Sequence, residues 1–128
     1  MSFSIEVFPD EPILLCTFHQ DFDMVGSLTL LSDQCNEALD AASEPLYMIS
    51  DTLAYTFSVT ALIAGANAAT KGIKPPFFHP NVRKVVWVTD SRLLELGARG
   101  MNSPAFGNVE IEIFHTLEEA LEYCRSGA

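Results

Sequence analysis

Apolar and polar residues alternate at the start of the chain, with Phe3, Ile5 and Val7 standing against Ser4 and Glu6. A period of two marks a strand with one buried face. Pro9-Asp10-Glu11-Pro12 is turn chemistry, and the apolar run from Ile13 to Phe18 resumes extended, so these segments predict an antiparallel hairpin. From Met24 the period lengthens. Met24, Leu28, Leu31, Cys35, Leu39 and Ala42 recur at helical spacing, while Ser27, Asp33, Asn36 and Asp40 fall off that stripe. Asp23 is placed to cap this helix and Pro45 to close it.

Two later runs are apolar without alternation: Leu46-Tyr-Met-Ile49, ending in Ser50-Asp51, and residues 82–88, ending in Thr89-Asp90-Ser91. Such runs suit strands buried on both faces, as in a parallel sheet. Between them, residues 57–72 predict a helix of small residues stopping at Gly72, followed by an irregular loop over 74–80 that carries three prolines. Asp90 or Ser91 caps a helix bearing Leu93, Leu94 and Leu96, with Gly97 and Gly100 at its loose end. Residues 101–108 read as a loop, and Val109, Ile111 and Ile113 as the last strand. Thr116-Leu-Glu-Glu119 is a capping box opening a helix lined by Leu117, Ala120, Leu121 and Cys124. The order ββαβαβαβα predicts one α/β domain over residues 1–128. Its single five-stranded sheet is mixed and mostly parallel, with helices on both faces.

Composition narrows the function classes. A chain of 128 residues that is 48% hydrophobic and 19% charged can bury one core. Its net charge of -10 disfavours nucleic acid and anionic membrane surfaces, which demand a cationic footprint. Cys16, Cys35 and Cys124 are odd in number and scattered, which makes neither a disulfide framework nor a zinc site. Cys16 and Cys35 fall on apolar faces and are expected in the core of a protein from a reducing compartment. Met-Ser-Phe-Ser-Ile-Glu has neither the basic nor the apolar region of a signal peptide, so a cytoplasmic location is expected. No metal or cofactor is implied.

No charge occurs between Asp51 and Lys71. About 18 apolar residues suffice to span a bilayer, but this run is rich in Thr, Ser, Asn, Gly and Ala, which insert poorly. A buried helix is expected, with no membrane span. Ala61, Ala64, Gly65, Ala68 and Ala69 give it a nearly flat face, suited to close packing, to a ligand or to a partner subunit.

The pattern as a whole resembles the STAS domain of anti-sigma-factor antagonists, and more closely the SpoIIAA-like proteins, which have a partial likeness to CRAL-TRIO lipid-binding domains. The residues carrying the resemblance are the apolar strand with Asp51, then Tyr55-Thr-Phe-Ser58 opening the small-residue helix. The run Asn81–Asp90 and the terminal Phe114–Tyr123 add to it. The resemblance implies a regulatory protein-interaction module with a protein partner or a homodimer. It also implies that Ser58, at the start of the switch helix, is the counterpart of a phosphorylated serine, although Phe57-Ser-Val-Thr60 replaces the family's Asp-Ser-Ser-Gly. The residue-level alternative for Ser58 is a plain helix cap.

Other chemistry is expected where strands leave the core. His19, Asp51, Asp90 and His115 each follow an apolar run, and together they can do acid–base work or hold a metal only if they converge. The simpler reading makes them caps and turn residues. No nucleophile is paired with a base and no phosphate loop occurs, so no catalytic residue is assigned. The remaining alternative is a small apolar ligand or lipid, held between the 57–70 helix, Phe77, Phe78 and the sheet. Asp51, Tyr55, Phe57, Phe77, Phe78 and Asp90 are therefore the candidate ligand or interface residues. Trp87 reads as core.

Overall fold

The computed structural model describes residues 2–127. Among them the elements are β1 (Phe3–Val7), β2 (Ile13–Phe18), α1 (Met24–Ala41), β3 (Leu46–Asp51), α2 (Val59–Thr70), β4 (Val82–Val88), α3 (Arg92–Met101), β5 (Ile111–Phe114) and α4 (Leu117–Arg125). This is the ββαβαβαβα order. The strands form one sheet in the spatial order β1-β2-β3-β4-β5, antiparallel between β1 and β2 and parallel elsewhere.

Strand parity sorts the core into two layers. Ile13, Leu15, Tyr47, Ile49, Val86 and Val88 point to one face and pack against Ala120 and Cys124 of α4. Leu14, Cys16, Met48, Val85 and Trp87 point to the other, where α1, α2 and α3 cover them. The three-to-one split follows from the strand order. Each parallel crossover steps one strand in the same direction, and right-handed crossovers that do not reverse all land on one side. Only α4, after the last strand, is free to cover the opposite face.

Local chemistry sets most element boundaries, with several departures from expectation. Thr116 Oγ1 accepts from the Glu119 N–H at 3.2 Å, Ser91 Oγ from Leu94 and Ser58 Oγ from Ala61, so three helices begin at side-chain caps. α2 therefore starts at Val59 rather than Phe57. Asp23 holds the N-cap position of α1 but makes no capping hydrogen bond. The 74–80 segment is not wholly irregular: Pro76–Phe78 form a 3-10 turn, since proline at the first position has no N–H to lose. A second such turn, Pro104–Phe106, lies in the 101–108 loop, and β5 begins at Ile111 rather than Val109.

Gly97 and Gly100 lie inside α3, which continues to Met101. A Cβ on Gly97 would meet Leu62 Cδ2 at 2.8 Å, so the missing side chain lets α3 lie against α2. Asn36, off the apolar stripe of α1, is nevertheless buried. Its Nδ2 donates to the Lys74 carbonyl at 2.9 Å, pinning the segment after α2 onto α1. Its Oδ1 has no partner among the described residues.

Candidate functional site

The carboxyl ends of the parallel strands do not gather the expected polar residues into one centre. Asp51 Oδ1 accepts from the Leu53 N–H at 3.2 Å, a turn-closing bond. Asp90 is exposed beside the α3 cap, and His19 is exposed after β2. His115 Nδ1 lies 3.1 Å from the Thr89 carbonyl, which makes that nitrogen the donor. Among the described residues no three His, Cys, Asp or Glu side chains are grouped to hold a metal. The fold supplies a reason. A sheet wound in sequential order has no reversal of strand order, and it is the reversal that opens a crevice at the strand ends.

An apolar concave feature lies instead inside the three-helix layer. A cavity of about 80 Å³ lies between the sheet floor, α1, α2, α3 and the turn at 76–78. Cys16, Ser50 and Trp87 form part of the floor, and the register places them side by side: Cys16 pairs with Ser50, and Ser50 with Trp87. The roof is the small-residue face of α2, where Gly65, Ala66, Ala68 and Ala69 leave space rather than fill it. Met24 Sδ lies 3.3 Å from where a Cβ on Gly65 would sit, so that glycine admits the methionine to the wall. Met24, Met48 and Met101 all line the cavity, and thioether side chains adapt readily to irregular volumes. No charged side chain lines it.

The Cys16 thiol of the wall is chemically quiet. Hydrogen bonding to Cys35 and burial push the Cys16 thiol far above its ordinary value. It therefore stays neutral, and the lining keeps its soft, apolar character. Leu28 and Ser32 of α1 and Ala68 of α2 border both this cavity and an outer groove that carries Asp33, Glu37, Lys71 and Lys74. The cavity and the groove thus adjoin at the seam between α1 and α2.

The residues expected around this helix divide into three positions. Phe57 and Phe77 line the cavity. Tyr55 does not; its ring meets Phe57 at 4.7 Å and Phe22 at 5.3 Å, and Phe18 stacks on Phe22 at 4.7 Å, forming an aromatic plug at one end. Burial raises the Tyr55 phenol above its ordinary value. Phe78 is 47% exposed and rests on Gly107 instead of closing the cavity. Asp51 and Asp90 lie outside it. Ser58 is exposed at the head of α2, its hydroxyl bonded to the Ala61 N–H at 3.0 Å.

Sequence reasoning missed Cys16, Met24, Met48, Ser50 and Trp87 as lining residues, because each reads as ordinary core or strand end. Ser50 carried a usable signal. It shares strand parity with Met48, so a lone hydroxyl two residues on in an apolar run falls on the same covered face.

The geometry defines the class: the chain has a SpoIIAA-like fold. Among solved structures it is similar to an uncharacterised DUF3478-family protein with a SpoIIAA-like fold from Shewanella loihica PV-4. The TM-score is 0.56 at 20% sequence identity, over 95% of this chain and 91% of that one. No protein-family profile matches the chain, and no curated protein matches it in sequence. No helix among the described residues is long and apolar enough to cross a membrane.

Proposed function

We propose that this protein is a binding module that takes up a small apolar molecule beneath α2. The carrying observation is the uncharged cavity over Trp87, roofed by alanine and glycine and adjoining the outer groove where α1 meets α2. Its size sets the ligand class. An apolar cavity of about 150 Å³ holds benzene, so about 80 Å³ suits a few heavy atoms, or an aromatic ring once the methionines shift. Drug-sized and lipid ligands need upwards of about 300 Å³ and do not fit.

The single tryptophan provides the test. Toluene is expected to change Trp87 emission saturably in the wild type, and Ala69→Leu, which fills the roof, is expected to abolish the response while circular dichroism stays unchanged. A wild-type protein silent to toluene by both fluorescence and methionine-methyl NMR sinks the reading.

A second reading, contact with a protein partner or a second copy, is favoured by the outer face of α2. Val59 and Ile63 are one turn apart there and are 58% and 53% exposed, immediately after the Ser58 cap. In this reading Ser58 is the residue whose phosphorylation controls the contact, since a phosphate at a helix N-terminus meets free N–H groups. Sedimentation of the wild type beside Val59→Lys and Ile63→Lys checks it: a dimer that dissociates in both variants supports the face, and a wild-type monomer leaves only a foreign partner.

A further inference from the structure

We propose that Ser50 is the polar anchor of this cavity, and that its ligand is an uncharged small molecule with one hydrogen-bonding group on an apolar body. The inference rests on the binding reading above and adds the chemistry of recognition. Ser50 is 6% exposed and belongs to β3, the middle strand of the sheet. Its side chain lines the cavity, its hydroxyl makes no hydrogen bond to any described residue, and its oxygen is open to the cavity rather than sealed in the core.

A buried hydroxyl is ordinarily paired, because leaving it unmade forfeits the hydrogen bonds it had in water. The other polar groups of the wall do not pair it. Thr52 Oγ1 is committed to the Val88 carbonyl at 2.8 Å. Cys16, the neighbour in register, offers only a thiol, which is a weak partner. Ser32 lies at the rim, where the cavity adjoins the outer groove. The cavity exceeds the space one water needs, so water can meet this hydroxyl, and a ligand that offers the same hydrogen bond on an apolar body takes its place.

The surroundings fix the rest of the ligand. With no cation in the lining, a carboxylate or phosphate would be buried against a single hydroxyl, so charged ligands are excluded. Trp87 beside Ser50, with Phe18, Phe57 and Phe77 elsewhere in the lining, suits a planar or compact apolar body. A phenol, a small alcohol or a small ketone meets both demands, each presenting one donor or acceptor to a group that can act as either.

The test compares phenol with toluene, its near-isostere, and with benzoate, by methionine-methyl NMR titration of the intact protein. Ser50→Ala is expected to weaken phenol about fivefold while leaving toluene unchanged or tighter. Ser50→Thr, which keeps the hydroxyl, is expected to retain the wild-type preference, and benzoate is expected not to bind. A phenol-to-toluene ratio that moves less than about twofold in a folded Ser50→Ala variant overturns the anchor while the binding reading survives. Saturable benzoate binding overturns the uncharged class. If the wild type binds neither phenol nor toluene, the binding reading falls and the anchor with it.

Discussion

Gly107 and Gly100 illustrate how differently one residue type is used. Gly107 has φ of +80°, and a Cβ there would meet Phe78 Cζ at 2.5 Å. Backbone strain and the clash act together, so Gly107→Ala is expected to destabilise by about 1–3 kcal/mol in urea unfolding. Gly100 lies exposed inside α3, where an added Cβ would have nothing within 4 Å, and its φ is outside the left-handed region. Gly100→Ala is expected to stabilise by about 0.5–1 kcal/mol, because alanine loses less backbone freedom in a helix. An equal response at both sites would contradict this assignment. Neither outcome is legible in the sequence, where both glycines sit in small-residue stretches; φ and the approach of Phe78 are products of the tertiary fold.

At the scale of elements, α2 shows what local chemistry can and cannot specify. Its N-terminus is set by a hydrogen bond three residues long, Ser58 to Ala61, and its C-terminus is followed by Gly72 at φ of +97°. Both signals are contained in a few adjacent residues, and both are readable. Ser58→Ala is expected to cost about 1 kcal/mol, whereas Ser58→Asp, an equally good cap with favourable charge, is expected to be nearly neutral. Denaturant midpoints of the two variants decide this, and a costly Ser58→Asp would point to constraints on Ser58 beyond capping. The small-residue face of α2 is readable as flat, but not as the roof of a void. Whether alanines pack tightly or leave space depends on how far Leu62 and Gly97 let α3 approach and on where Met24 comes to rest. The turn at 76–78 is hidden for a different reason: prolines forbid strand and helix interiors yet permit one 3-10 turn, so the residues alone suggest only irregularity.

The whole molecule carries a charge balance with a definite pH signature. Arg125 donates to both carboxylate oxygens of Glu11, at 2.7 and 3.2 Å, tying the end of α4 to the β1–β2 turn. This hydrogen bonding holds Glu11 below its ordinary value of 4.5. Asp40 is likewise held below 3.8 by hydrogen bonds from His79 and Lys74. A carboxylate with a depressed folded-state value contributes stability above its unfolded value and loses it as pH falls through the folded one. Thermal midpoints are therefore expected to drop as pH falls from about 5 toward 3. Arg125→Ala is expected to flatten part of that drop, although the exposure of both pairs keeps each effect small. An unchanged pH profile in this variant would show the link to be energetically silent. The five-strand architecture is legible because each strand is an alternating or continuous apolar run, bounded by turn residues or helical patterns. The clasp is not, because Glu11 and Arg125 stand 114 positions apart and only the finished fold brings them together.

Because α4 alone covers one face of the sheet, the order of synthesis leaves that face uncovered longest. Ile13, Leu15, Tyr47, Ile49, Val86 and Val88 are all made before Leu117, and their cover follows only when Ala120 and Cys124 emerge. On the ribosome, the three-helix layer can assemble strand by strand as each neighbour appears, while the other side remains a sticky apolar sheet. Chains truncated before α4 are expected to aggregate or to bind a chaperone, because that face stays uncovered until Ala120 and Cys124 pack onto it.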